Sequence, residues 1–151
     1  MTKLFDDQLL DEFAHQFYGY GNYSGQYWFV GMEEGGGNSF EKVNRRLNTW
    51  AHRGKRELED VAGYHQAIGI TDLFSEKPKI QRTWGKLIRI VLSSQGITPT
   101  TERVRAYQRA VLGRPNGETC LVELFSLPSP LTTACSKASL TAGAICPPQL
   151  S

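Results

Sequence analysis

Apolar positions recur at helical intervals through most of the chain and condense into continuous runs at only two places. Leu4, Phe5, Leu9, Phe13 and Phe17 mark a first amphipathic helix, with Gly19 as its stop signal. The stretch from Tyr18 to Gly25 holds too much glycine to be regular, and its aromatics either cover a core edge or stack on bases. Tyr27-Trp28-Phe29-Val30 is an unbroken apolar run ending in glycine, the pattern of a strand buried on both faces of a parallel sheet. Beyond the glycines, Asn38 and Glu41 have capping-box spacing, and Phe40, Val43, Leu47 and Trp50 continue as a helix. Leu58, Val61 and Tyr64 predict a further helix from Lys55 to Gln66, with Ile68-Gly69-Ile70 as a short strand or turn after it.

Ile80, Trp84, Leu87, Ile88 and Val91 fall in one wide apolar arc and predict a helix from Lys79 to Gln95. A shorter one follows from Thr100 to Leu112, with Val104, Tyr107 and Val111 turned inward. Pro115-Asn116-Gly117 makes a turn, and Thr119 to Phe125 reads as the second buried strand. The fold class expected is therefore α/β: a partial three-layer sandwich with a short parallel sheet flanked by helices. Its two legible strands, 27–31 and 119–126, are fewer than the four or so of an open α/β sheet. We assign residues 1–130 to one α/β domain and 131–151 to an irregular or disordered tail, because those last residues hold one charge and no clear period. The change of composition after Pro130 suggests a truncated or frame-shifted product of a longer gene, or a domain whose sheet is completed by a partner chain.

Composition sets outer bounds. A length of 151 residues, 40% of them hydrophobic, allows one core and excludes a fibrous or wholly disordered chain. No apolar run reaches the roughly 18 residues of a membrane span, and the acidic start is unlike a secretion signal, so the expected compartment is the cytoplasm, with no membrane partner. Three cysteines in no CxxC spacing give neither a disulfide framework nor a zinc site, and no metal or other cofactor is expected.

Charge changes the picture more. The overall +2 hides a basic third: residues 75–117 carry nine Lys and Arg against two acidic residues. Lys79, Arg82, Lys86 and Arg89 follow one another at steps of three, four and three, so on a helix they share one stripe of mutually repelling cations. Such a stripe either faces nucleic-acid phosphates or is a solvated basic face.

Two positions carry candidate chemistry. Strand, glycine loop and helix start follow in order around Gly31-Met32-Glu33-Glu34-Gly35-Gly36-Gly37, where free N–H groups and missing side chains suit an anionic or polar ligand. The alternative is a tight connection that binds nothing. Glu123 lies in the middle of an apolar strand, which demands an ion pair, a hydrogen bond or a functional position near the strand end. His15, His52 and His65 each lack a second ligand or nucleophile nearby in sequence and read as structural.

The order of strand, Gly31-Met32-Glu33-Glu34-Gly35 and helix resembles the first motif of the uracil-DNA glycosylase superfamily, particularly the Gly-Met-Asn-Pro-Gly form of its single-strand-selective members. The second buried strand is similar to the superfamily strand whose asparagine reads the uracil edge, with Glu123 at that position. Leu127-Pro128-Ser129-Pro130 is superficially similar to the later His-Pro-Ser motif, but the earlier-strand placement is preferred. The resemblance, spanning residues 25 to 130, implies a DNA-binding α/β domain that flips a base into a pocket at the strand ends. It implies Glu33 and Glu123 as the catalytic pair, Glu33 taking the place of the water-positioning Asp or Asn. It also implies that Gly35, Gly36 and Gly37 line the backbone approach; Lys79, Arg82, Lys86 and Arg89, read from the charge stripe alone, are the candidate contacts to the nucleic acid. Glu34 departs from the usual proline, and Glu123 has no amide donor. The function expected is a glycosylase-like, nucleic-acid-associated domain, inactive if truncated; the alternative is a non-enzymatic module binding an anion or a partner.

Overall fold

Helix α1 (Asp7–Gln16) forms where the spacing of Leu9 and Phe13 places it, and the Asp6 carboxylate caps it by accepting the Leu9 N–H at 3.0 Å. It belongs to a computed structural model that describes residues 4–129 of the chain. The expectation of an irregular or disordered tail at 131–151 lies outside the described residues.

Beyond α1 the chain does something the sequence reading missed. Gly19–Gly21 is a strand, β1, in which Gly19 and Gly21 have φ of +142° and +110°. A β-carbon on Gly19 would stand 1.9 Å from the Leu121 carbonyl oxygen, so glycine is what allows so close a backbone approach. Between them Tyr20 is buried in the core. Strand β2 (Tyr27–Gly35) follows, then helix α2 (Phe40–His52), which is capped by Ser39 rather than by Asn38. The helix expected over Lys55 to Gln66 divides into a two-residue strand, β3 (Leu58–Glu59), and a shorter helix, α3 (Val61–Ala67). Leu58 and Glu59 pair with Gly19 and Tyr20 of β1, and the fully buried Glu59 carboxylate takes two hydrogen bonds from the Arg53 guanidinium, at 3.1 and 3.0 Å. Ile68 to Ile70 is a turn around Gly69 at φ +88°.

Helix α4 (Arg82–Ser94) begins three residues later than its periodicity suggests, because the Gln81 side chain caps it by accepting the Trp84 N–H at 2.7 Å. Lys79 therefore lies in the preceding loop and not on the helical stripe, which keeps Arg82, Lys86 and Arg89, all exposed. Helix α5 (Thr101–Ala110), capped by Thr100, leads through the expected turn to β4 (Thr119–Ser129).

Among the described residues the four strands form one sheet in the order β2-β4-β1-β3, flanked by helices, so the α/β class stands. The sheet is mixed where a parallel one was expected: β2 runs parallel to β4 and β1 parallel to β3, but β1 is antiparallel to β4. The five helices of the described residues contribute to one core, built around Phe13, Leu47, Trp50, Val61, Ile88 and Val104. Strand β2 corrects a second expectation, since it is not buried on both faces. Tyr27 and Phe29 pack against the core, while Trp28, Val30 and Met32 are 50, 62 and 55% exposed. An apolar run conceals this alternation because nothing in it is polar enough to mark the outer face. Cys120 is a buried free thiol. No helix among the described residues is long and apolar enough to cross a membrane.

Candidate active site

Carboxylates gather at the end of β2 because the strand pairing slips there. Glu33 is registered with Phe125 but Gly35 with Ser129, so the regular ladder breaks around Pro128, which has no N–H to give. With alternation broken, the adjacent side chains of Glu33 and Glu34 both reach one cleft of about 240 Å³, and Glu123 reaches it from β4. Arg46 of α2, His65 of α3, and Gln81, Thr83 and Trp84 at the start of α4 complete its polar and aromatic lining, with Ile70 and Leu73 as the apolar part.

Glu34 is fully occupied. One carboxylate oxygen accepts from the Tyr20 hydroxyl at 2.7 Å and from Arg46 Nη1 at 2.8 Å, and the other faces His65 Nε2 at 2.9 Å. Burial alone would raise its pKa, but the His65 hydrogen bond and the Arg46 charge outweigh it and hold the carboxyl below the ordinary 4.5. Arg46 also donates through Nη2 to the Gly35 carbonyl at 3.3 Å, and His65 Nδ1 lies 2.7 Å from the Val61 carbonyl. The hydroxyl of Tyr20 is pushed well up, first by burial and then by the Glu34 charge.

Glu123 is the opposite case. Among the described residues its carboxyl has neither a hydrogen bond nor an ion pair, so the structural ion pair is not the explanation for it. Burial, with the charges of Glu34 and Glu33 behind it, pushes the carboxyl up to about 7. Register explains how it fits: Glu123 lies opposite Gly31, where a β-carbon would stand 2.5 Å from Glu123 Oε2. The obstacle would be the end of a flexible side chain, so Gly31→Ala is expected to keep the fold while displacing that carboxyl. Its titration, followed by carboxyl ¹³C NMR, then moves down from about 7 towards 4.5; an unmoved midpoint would show that the Gly31 gap does not place the acid.

The expected residues assemble only in part. Glu33, Glu123 and Gly35 share the cleft, whereas Gly36 and Gly37 are not in its lining. Gly36, at φ +98°, leaves room for Arg46 instead, since a β-carbon there would stand 3.2 Å from Arg46 Nη2. The first turn of α2 is absent from the lining too, and the loop presents carboxylates rather than a cradle for anions. Arg82 lies between Gln81 and Thr83, both of which line the cleft, and so stands near its rim, whereas Lys86 and Arg89 continue along the exposed side of α4. Lys79 is exposed in the loop before them. Among the described residues no group of three or more His, Cys, Asp or Glu side chains is arranged to hold a metal ion.

Sequence reasoning missed Arg46, His65, Tyr20 and Trp84 as parts of the site. Tyr20 and Trp84 left a signal only as large aromatics, one in the glycine-rich stretch and one on the apolar arc of a helix; Arg46 and His65 are brought to Glu34 from 12 and 31 residues away by the fold. No family model, curated protein or solved structure matches the chain.

Proposed function

We propose that the cleft is an acid–base hydrolytic site that releases a planar base from single-stranded nucleic acid by cleaving its glycosidic bond. Supporting this reading above all is the pair Glu33 and Glu123 in one cleft, Glu123 being poised near neutrality with nothing to hold its proton elsewhere. In this reading Glu33 holds a water and takes its proton as the water oxygen attacks the anomeric carbon. The glycosidic electron pair leaves with the base, which Glu123 protonates; the products are free base and a sugar hydroxyl. Glu34 takes no part in the proton transfers, because Tyr20, Arg46 and His65 already engage it. Trp84 offers a face on which a base can stack, and Arg82, Lys86, Arg89 and Lys79 attract the phosphates outside. We place the reaction in the cytoplasm. The competing idea, an anion held at the glycine loop, has the carboxylates of Glu33 and Glu34 against it.

The test is base release from a single-stranded oligonucleotide carrying deoxyuridine, with binding measured in parallel as a function of salt. Glu33→Gln is expected to lower release about 100-fold while leaving binding intact. A wild-type protein that releases no base, or one whose affinity does not fall with rising salt, overturns the reading.

A further inference from the structure

The loop before α4 and the start of that helix provide Leu73, Gln81, Thr83 and Trp84 to the cleft. Loops of this kind expose backbone groups, and the question is what fixes them. Three of those groups meet one side chain. Gln108, on α5 and fully buried, donates through Nε2 to the Leu73 carbonyl at 2.9 Å and to the Lys79 carbonyl at 2.8 Å. Its Oε1 accepts the Gln81 N–H at 3.0 Å. Both amide protons and the amide oxygen are thus used on one loop. From there the order passes to the site, because Gln81 caps α4 through the Trp84 N–H at 2.7 Å. Trp84 in turn sets its ring edge-to-face on His65, with centroids 5.3 Å apart.

We infer that Gln108 is a positioning residue for the binding wall of the cleft, fixing Trp84 through the loop and the Gln81 cap. A buried glutamine could merely satisfy backbone groups, in which case its loss would loosen the fold without singling out the cleft. What separates the two is that its partners are the two ends of one loop that borders the site and the residue that caps α4. Arg109, its neighbour on α5, also ties the loop, at the Glu76 carbonyl 3.2 Å away, but Glu76 does not line the cleft. That makes Arg109→Ala the internal control. The inference rests on the cleft being a binding site, though its first readout does not depend on what is bound.

Protein labelled with 5-fluorotryptophan gives one fluorine resonance for each of Trp28, Trp50 and Trp84, assigned by replacing each with phenylalanine. In Gln108→Leu the Trp84 resonance is expected to shift or split, with those of Trp28 and Trp50 unchanged, and Arg109→Ala is expected to change none. A Trp84 signal that stays in place, or three signals that move together, overturns the inference. Should Gln108→Leu fail to fold, Gln81→Ala decides, since it cuts the same relay at a half-buried position; an unmoved Trp84 signal there overturns the inference as well. In the deoxyuridine assay Gln108→Leu is expected to raise KM about tenfold with kcat within about twofold, because the wall contributes uniform binding while the acid is untouched. If the wild type releases no base, the proposed function falls, and the fluorine spectra still judge Gln108 by themselves.

Discussion

Replacing Glu123 by glutamine is expected to lower base release about 10²- to 10⁴-fold, the usual contribution of a positioned general acid, and to abolish the alkaline fall of activity in what remains. The direction of that fall follows from the carboxyl itself. In the proposed reaction Glu123 acts in its acid form, and burial with two neighbouring carboxylates pushes its titration up to about 7. Wild-type activity is therefore full on the acid side of that value, as far as Glu123 governs it, and is lost as the pH rises through it. Glutamine keeps the shape of the side chain and removes both the proton and the limb. The same shift has a consequence for stability that needs no substrate. A carboxyl that titrates near 7 in the folded chain and near 4.5 in the unfolded one binds its proton more tightly when folded. Its contribution is complete below 4.5 and is lost as the pH rises through about 7. Glu123→Gln is thus expected to gain on the wild type in thermal midpoint between about pH 4 and about pH 8. Parallel pH dependences for the two proteins would show that the carboxyl does not titrate near neutrality, and the assignment of Glu123 as the acid would go with it.

How far the sequence led depends on what kind of signal each part left. Helices α1, α2, α4 and α5 bury one stripe each, and a stripe repeats often enough in ten to thirteen residues to be read without the fold. Strands β1 and β3 have three and two residues, too few for any period, and β1 is formed by glycines that usually indicate a turn. Strand β1 is placed by β4, a partner far along the chain, and β3 by β1 in turn. The site divides in the same way. Glu123 was legible because a carboxylate within an apolar run demands an explanation, and Glu33 through the motif it stands in; both do reach the cleft. Arg46 gave no such warning. On α2 it borders the apolar arc of Val43, Leu47 and Trp50, a place where a cation ordinarily turns its charge to water, and only the fold makes it a buried partner of Glu34. His65 was discounted for want of a second group nearby in sequence, and that group came from β2. Sequence pattern registers what a residue costs its own element, whereas these residues matter through what they do for another.

Removing the Arg46 guanidinium is therefore expected to be strongly destabilising, with Arg46→Met costing about 3–5 kcal/mol in urea unfolding, the range for breaking a buried pair on one side. Arg46 is 4% exposed, and its guanidinium serves two acceptors: the Glu34 carboxylate at 2.8 Å and the Gly35 carbonyl at 3.3 Å. Methionine fills the space and leaves Glu34 as a carboxylate inside the protein, with Tyr20 and His65 but without its nearest cation. Arg46→Lys keeps a charge but cannot reach both acceptors in one plane, so it should fall between the two. The pH dependence supplies an independent sign. Glu34 titrates below its ordinary value in the folded wild type, so its contribution is present above 4.5 and lost as the pH falls through that depressed value. Without Arg46 the carboxyl takes a proton more readily, and the penalty of the variant shrinks as the solution is acidified, because a neutral carboxyl needs no cation beside it. Adding Glu34→Gln to Arg46→Met should for the same reason return part of the lost stability, which a double-mutant cycle reads directly as a coupling between the two positions. A loss under about 1 kcal/mol, the level of an exposed ion pair, with additive effects in the double variant, would mean that water already screens the pair. The floor of the cleft would then be wet and the separation of Glu34 from Glu123 in acidity would lose its physical basis.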